Sequence, residues 1–128
     1  MAISKLRHYE GQMMLGQQIR LQRERLRSSN KDYSLRKVAG RVGVEPAYLS
    51  KIEREEVPPP SEGTIKKIAH DLELDPDVLL AMAGKISSDL RDIICQRPQL
   101  FSKLLRELKS QPENAVLKIV REITDGDW

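Results

Sequence analysis

Residues 34–54 read SLRKVAGRVGVEPAYLSKIER, and this segment contains the most informative pattern in the chain. Ser34 is a good N-cap, and the apolar residues after it recur at the i, i+3, i+4, i+7 spacing of a buried helix face. Gly43 ends that helix, because glycine readily adopts the left-handed conformation found there. Pro46 suits the first position of a second short helix. The stretch therefore predicts two short helices separated only by Gly43 and Val44.

Two helices this close form either a helix-turn-helix unit or an ordinary helical hairpin, and the spacing alone leaves both open. Ala39 is small and lies where one helix must cross the other closely. Apolar residues fill the angle between the helices: Val38, Val42, Val44, Leu49 and Ile52. In a helix-turn-helix unit the second helix enters the major groove of DNA and the first crosses the backbone. The pattern therefore leads to the hypothesis that the protein binds DNA.

Apolar periodicity predicts helices along the rest of the chain as well, so the expected fold class is all-α. One helix begins at Leu15, ahead of the quoted stretch. Behind the stretch, Pro58-Pro59-Pro60 stops helix formation, and Ser61 and Asp75 cap a fourth and a fifth helix. Only 4% of the residues are aromatic, which argues against a β-sandwich or barrel.

The composition excludes several function classes. A chain of 128 residues is one domain, or one small domain with an appendage. One cysteine and two distant histidines rule out a disulfide framework and a cysteine- or histidine-rich metal centre. No glycine-rich phosphate loop and no nucleophile elbow occur, so we expect no enzyme, no catalytic residues and no cofactor. Without a long apolar run or a signal peptide, a cytoplasmic protein that spans no membrane is expected.

Charge is unevenly distributed along the chain. The net charge is +3, but residues 1–44 carry +7, residues 45–84 carry −5 and residues 85–128 carry +1. A basic first third indicates a surface that faces a polyanion such as nucleic acid. The alternative is a long solvated helix with many arginines, and charge alone does not separate the two.

Residues 15–82 resemble the lambda-repressor-like helix-turn-helix domain of the XRE/Cro family. The matching segments are Leu15–Arg20, Val38-Ala39, Val42–Val44, Tyr48–Arg54, Pro60-Ser61, Ile65, Ile68-Ala69 and Leu72. The resemblance implies a five-helix DNA-binding domain. It also implies a homodimeric regulator of transcription, in most cases a repressor, that binds a palindromic operator in double-stranded DNA.

The resemblance also implies roles for individual residues. Base reading is implied for one set at the start of the second helix: Pro46, Ala47, Tyr48 and Lys51. Backbone phosphate contact is implied for a second set: Ser34, Arg36, Lys37, Ser50 and Arg54. Lysine can donate to guanine, an alanine methyl can contact thymine, and helix N-terminal amides assist phosphate binding. Arg23 and Glu53 match a pair that forms an internal ion pair in the family.

Three features depart from the family pattern. Leu35 stands where a glutamine usually contacts phosphate, so one backbone contact is lacking. The stretch between Arg23 and Ser34 is about five residues longer than in the phage repressors. Glu55 and Glu56 stand where relatives often carry basic residues, and they would repel phosphate unless they point away.

The C-terminal block has more apolar residues than three short helices can bury among themselves. We expect a dimer interface there, made by Leu104, Leu105, Leu108, Ile119, Val120 and Ile123. The alternatives are helices that fold back on the first domain, or a surface for a toxin or an anti-repressor, as in an antitoxin or adaptor. Cys95 is expected to be a small apolar group in a core or an interface. The expected domains are a tail over 1–14, the helix-turn-helix domain over 15–84 and a dimerisation or partner-binding segment over 85–128.

Overall fold

The protein is all-helical in the part of the chain that the structure describes, residues 13–126 of a computed structural model. This confirms the predicted fold class. A short 3-10 helix, Lys31–Tyr33, lies between the first two α-helices. The α-helices are α1 Leu15–Arg27, α2 Leu35–Val42, α3 Pro46–Glu53, α4 Glu62–Asp71, α5 Pro76–Met82, α6 Ser88–Gln96, α7 Pro98–Lys109 and α8 Glu113–Asp125.

The chain divides into two compact units, one that ends at Ser87 and one that begins at Ser88. Unit 1 contains α1 to α5, and unit 2 contains α6 to α8. Most of the tail predicted over residues 1–14 lies outside the described residues. None of the described helices is both long enough and apolar enough to cross a membrane.

Side-chain caps set the starts of three helices in unit 1. The Ser34 hydroxyl accepts a hydrogen bond from the Lys37 amide, and the Ser61 hydroxyl accepts one from the Thr64 amide, both at 3.3 Å. The Asp75 carboxylate accepts from the Asp77 amide at 2.9 Å. Each bond satisfies an amide that has no partner within its own helix. These helices begin where the sequence places their caps.

One hydrophobic core holds the five helices of unit 1 together. Side chains from every one of them are buried in it: Leu15, Ile19, Val38, Ala39, Val42, Leu49, Ile52, Ile65, Ile68, Ala69, Leu72, Leu79, Leu80 and Ala83. Each large aliphatic side chain buried in this way contributes about 1.5–3 kcal/mol. Arg41 ties α2 to α4 at the edge of the core, since it pairs with Asp71 at 2.6 Å and stacks over the Tyr33 ring.

Gly16 lets α1 approach the end of α3. A Cβ at this position would collide with the carbonyl oxygen of Ile52 and would lie 2.7 Å from that of Glu53. The Gly16 amide also donates a hydrogen bond to Glu55 Oε1 at 2.6 Å. Only glycine therefore allows this close contact between α1 and α3.

We predict that Gly16→Ala destabilises the protein by about 1–3 kcal/mol, because overpacking forces the two helices apart. Gly40→Ala is the matched control, since a Cβ added at this position of α2 would have no other group within 4 Å. That change should stabilise the helix by about 0.5–1 kcal/mol. Urea unfolding followed by circular dichroism measures both, and equal effects of the two substitutions would contradict the contact.

Unit 2 has no fully buried residue in any of its three helices. Its helices are amphipathic, and α6 packs on α7. Their apolar faces are largely exposed at Leu90, Ile93, Leu100, Leu104, Leu105, Leu117, Ile119, Val120 and Ile123. Cys95 is exposed too, so a place in the core of this chain is wrong, and a place in an interface stays a prediction.

Candidate nucleic-acid interface

α2 packs on α3, and only Gly43, Val44 and Glu45 separate the two helices. Gly43 adopts φ 78°, a left-handed conformation, and the Val44 amide donates to the Ala39 carbonyl at 3.0 Å. Val38, Ala39 and Leu49 are completely buried where the two helices cross. This packing fixes one face of α3 and leaves the opposite face in solvent.

The solvent face of α3 carries two of the four residues predicted to read bases. Ala47 and Lys51 are exposed and lie four residues apart, so they lie one above the other on the helix. Pro46 and Tyr48 are half-buried, and the Tyr48 ring packs against the core. Of these four, Lys51 and Ala47 are therefore the most accessible to a ligand.

The residues predicted to contact phosphate lie at the start of α2 and at the end of α3. Arg36 and Lys37 are exposed in the first turn of α2, where Ser34 is the half-buried cap. Ser50 is half-buried on α3. Arg54 follows α3 directly, is exposed, and donates from Nε to the Ser50 carbonyl at 3.3 Å. Exposed cationic side chains thus stand in the first turn of α2 and directly after α3.

A buried ion pair lies beneath this surface. Arg23 Nε donates to Glu53 Oε2 at 2.7 Å, and Arg23 Nη2 donates to Glu53 Oε1 at 3.0 Å. Arg23 Nη1 also donates to the Tyr33 carbonyl at 3.3 Å. Both side chains are deeply buried, at 6% and 5% exposure. Hydrogen bonding to Glu53 raises the pKa of Arg23 above its ordinary value, so Arg23 stays charged.

The two glutamates after α3 have different partners. Glu55 has φ 60° and is half-buried, and its carboxylate accepts from the Gly16 amide. The carboxylate is thereby directed toward the N-terminus of α1, where a helix dipole favours negative charge. Glu56 pairs with Arg54, with 3.0 Å between Arg54 Nη1 and Glu56 Oε1. Both carboxylates are therefore bound to groups of unit 1 itself.

A cleft opens above the buried ion pair. It has a volume of about 180 Å³ and is lined by Arg20, Arg23, Leu35, Ser50, Glu53 and Arg54. Arg20 is not among the residues predicted above for DNA contact. Its signal in the sequence is its position three residues before Arg23, because residues three apart lie on the same side of a helix.

No metal site forms in the described part of the chain. Among residues 13–126, no three His, Cys, Asp or Glu side chains come together in a way that could hold a metal ion.

A protein family described as a helix-turn-helix domain matches residues 14–82 of this chain. The match spans α1 to α5 and confirms the helix-turn-helix prediction. Among solved structures, a SinR protein/SinI protein complex is similar, with 27% sequence identity and a TM-score of 0.45. That similarity covers 77% of this chain and 100% of the other. No curated protein matches the chain.

We predict that Glu53→Gln lowers the free energy of unfolding by about 3–5 kcal/mol, because Arg23 is left charged and buried without a counter-charge. Glu56→Gln removes the same charge from an exposed pair, which is worth about 0–1 kcal/mol. Urea unfolding of the two variants side by side measures the difference. If both variants unfolded at the same urea concentration, Glu53 would have no stabilising role beyond that of a surface residue.

Proposed function

The chain belongs to the helix-turn-helix domain family, and from this premise we propose that it is a sequence-specific regulator of transcription that binds double-stranded DNA. One observation carries the proposal: α3 exposes Ala47 and Lys51, and exposed cationic residues stand in the first turn of α2 and directly after α3. A binding function, not catalysis, accounts for that arrangement. Such a regulator acts where DNA is accessible, which we take to be the cytoplasm.

In this proposal α3 enters the major groove and its exposed side chains contact base edges. The Lys51 ammonium donates to guanine O6 or N7, and the Ala47 methyl group contacts a thymine methyl. Pro46 and Tyr48 lie against the same groove wall. Phosphate contacts set the register and come from the cationic and hydroxyl side chains that border α3: Ser34, Arg36, Lys37, Ser50 and Arg54. Contacts to the bases then provide specificity, and contacts to the phosphates provide affinity.

Selection of bound sequences from a pool of random duplexes tests this function. We expect one enriched motif with two inverted half-sites about 34 Å apart, the spacing that lets two copies of α3 contact one face of DNA. A pool that is not enriched after repeated rounds would contradict sequence-specific binding.

Two substitutions separate base reading from phosphate contact. We predict that Lys51→Ala costs about 1–3 kcal/mol on the selected duplex and little on random duplex. Arg36→Ala should weaken both complexes equally and reduce the slope of log affinity against log salt by about one. Fluorescence anisotropy at several salt concentrations measures both quantities. Equal losses by the two variants on the two duplexes would show that the assigned roles are wrong.

We propose further that the protein acts as a homodimer through unit 2. Its helices bury none of their own residues fully, so their apolar faces need a partner to remove them from water. The proposed interface residues include five that are 38–64% exposed: Leu104, Leu105, Ile119, Val120 and Ile123. Leu108 is half-buried. Two identical amphipathic units can cover each other symmetrically, and two linked α3 helices fit a palindromic operator.

A dimer of this kind would repress transcription by occupying its operator and excluding other proteins from it. Dimerisation through unit 2 also links the two DNA-binding units to each other. Tethering makes the second contact nearly intramolecular, which increases affinity by orders of magnitude.

We predict that Leu105→Glu/Val120→Glu converts a dimer of about twice 14.7 kDa into a monomer, because two buried carboxylates per chain disfavour the apolar interface. The affinity for the palindromic duplex should fall when the dimer is lost. Ser102→Glu adds a charge at an exposed position of α7 and should leave the dimer intact. Sedimentation equilibrium measures the mass. A wild-type monomer would contradict the dimer and favour the second candidate, an antitoxin or adaptor whose exposed apolar helices bind another protein.

A further inference from the structure

The cleft above the Arg23–Glu53 pair has the charge of an anion site. Arg23 and Glu53 neutralise each other at its floor. Arg20 and Arg54, at its rim, provide two further guanidinium groups and are 58% and 51% exposed. The volume of about 180 Å³ is several times the roughly 30 Å³ of one water molecule, so a phosphate group fits.

The cleft also lies where a DNA backbone would pass in the proposed complex. Ser50, on α3, and Leu35, the first residue of α2, line two of its sides. The amides in the first turn of α2 carry the partial positive charge of a helix N-terminus. Arg20, on α1, lines the cleft as well. Three helices thus contribute to one concave cationic surface.

Each of the two rim arginines forms an ion pair with a glutamate that is close to it in sequence. Arg20 Nε lies 3.2 Å from Glu24 Oε1, one helical turn along α1. Arg54 Nη1 lies 3.0 Å from Glu56 Oε1. Pairs this exposed are weak, because water and salt screen them. A phosphate, which offers several acceptor oxygens to the planar guanidinium fork, can replace either carboxylate.

We propose that one backbone phosphate of bound DNA occupies this cleft, held by Arg20 and Arg54, and that it displaces Glu24 and Glu56 from these arginines. The inference rests on the proposed DNA-binding function. It adds Arg20 as a DNA contact and gives Glu24 and Glu56 a role as competitors that the phosphate must replace.

A double-mutant cycle on the full chain tests the exchange, with the duplex chosen by selection as the probe. Arg20→Gln should lower the affinity for the duplex more at 50 mM than at 200 mM salt. The fold-loss at 50 mM should be about 3.5 times the fold-loss at 200 mM, because the variant releases one fewer counterion on binding. Arg25→Gln removes the same charge from an exposed position of α1 that does not line the cleft. It should change the salt dependence less than Arg20→Gln does.

Glu24→Gln should raise affinity by about two- to fivefold, the worth of an exposed ion pair that no longer competes. In the Arg20→Gln background this gain in affinity should vanish, because the guanidinium that Glu24→Gln would free is absent. A gain that persists there would mean that Glu24 acts only through long-range repulsion, and the cleft proposal would be overturned. Equal salt dependence for Arg20→Gln and Arg25→Gln would overturn it as well. Wild-type protein that binds no duplex would instead refute the proposed function itself.

Discussion

The buried ion pair between Arg23 and Glu53 fixes the geometry of the proposed DNA-binding surface. It joins the middle of α1 to the last residue of α3, and a third bond from Arg23 adds the 3-10 helix. A buried charge that loses its partner is costly, so α3 cannot rotate or slide without a large penalty. Because Ala47 and Lys51 lie on the same short helix, the pair that fixes its end also fixes their direction.

The features that the sequence predicts well are local ones. Ser34, Ser61 and Asp75 cap helices through bonds to amides two or three residues away. Gly43 makes the turn through its own backbone conformation. Such signals depend only on near neighbours, and together with the apolar periodicity they define the five helices of unit 1. The family resemblance adds the assignment of the α3 face, which periodicity alone leaves open between a hairpin and a DNA-binding unit.

Features that depend on distant parts of the chain escape such a prediction. The partner of Glu55 is the Gly16 amide, 39 residues earlier, and nothing near Glu55 in sequence indicates it. The cleft at Arg20 exists only because α1, α2 and α3 converge there. The chemistry of Cys95 makes a core position one of its two expected places, yet α6 buries no residue fully. In each case the packing of distant helices determines where the residue lies. Local patterns in a single sequence do not indicate that packing.

Carboxylates paired with the rim arginines bear on specificity as well as affinity. Binding to random DNA is almost wholly electrostatic, so every uncovered arginine strengthens it. Glu24 and Glu56 pair with two such arginines in the protein without DNA. In the proposed complex with an operator, base contacts by α3 would hold the DNA backbone against the cleft, and a phosphate would replace the carboxylates. The cationic contacts would then form fully only in the complex that base reading has selected, which would raise the ratio of specific to random binding.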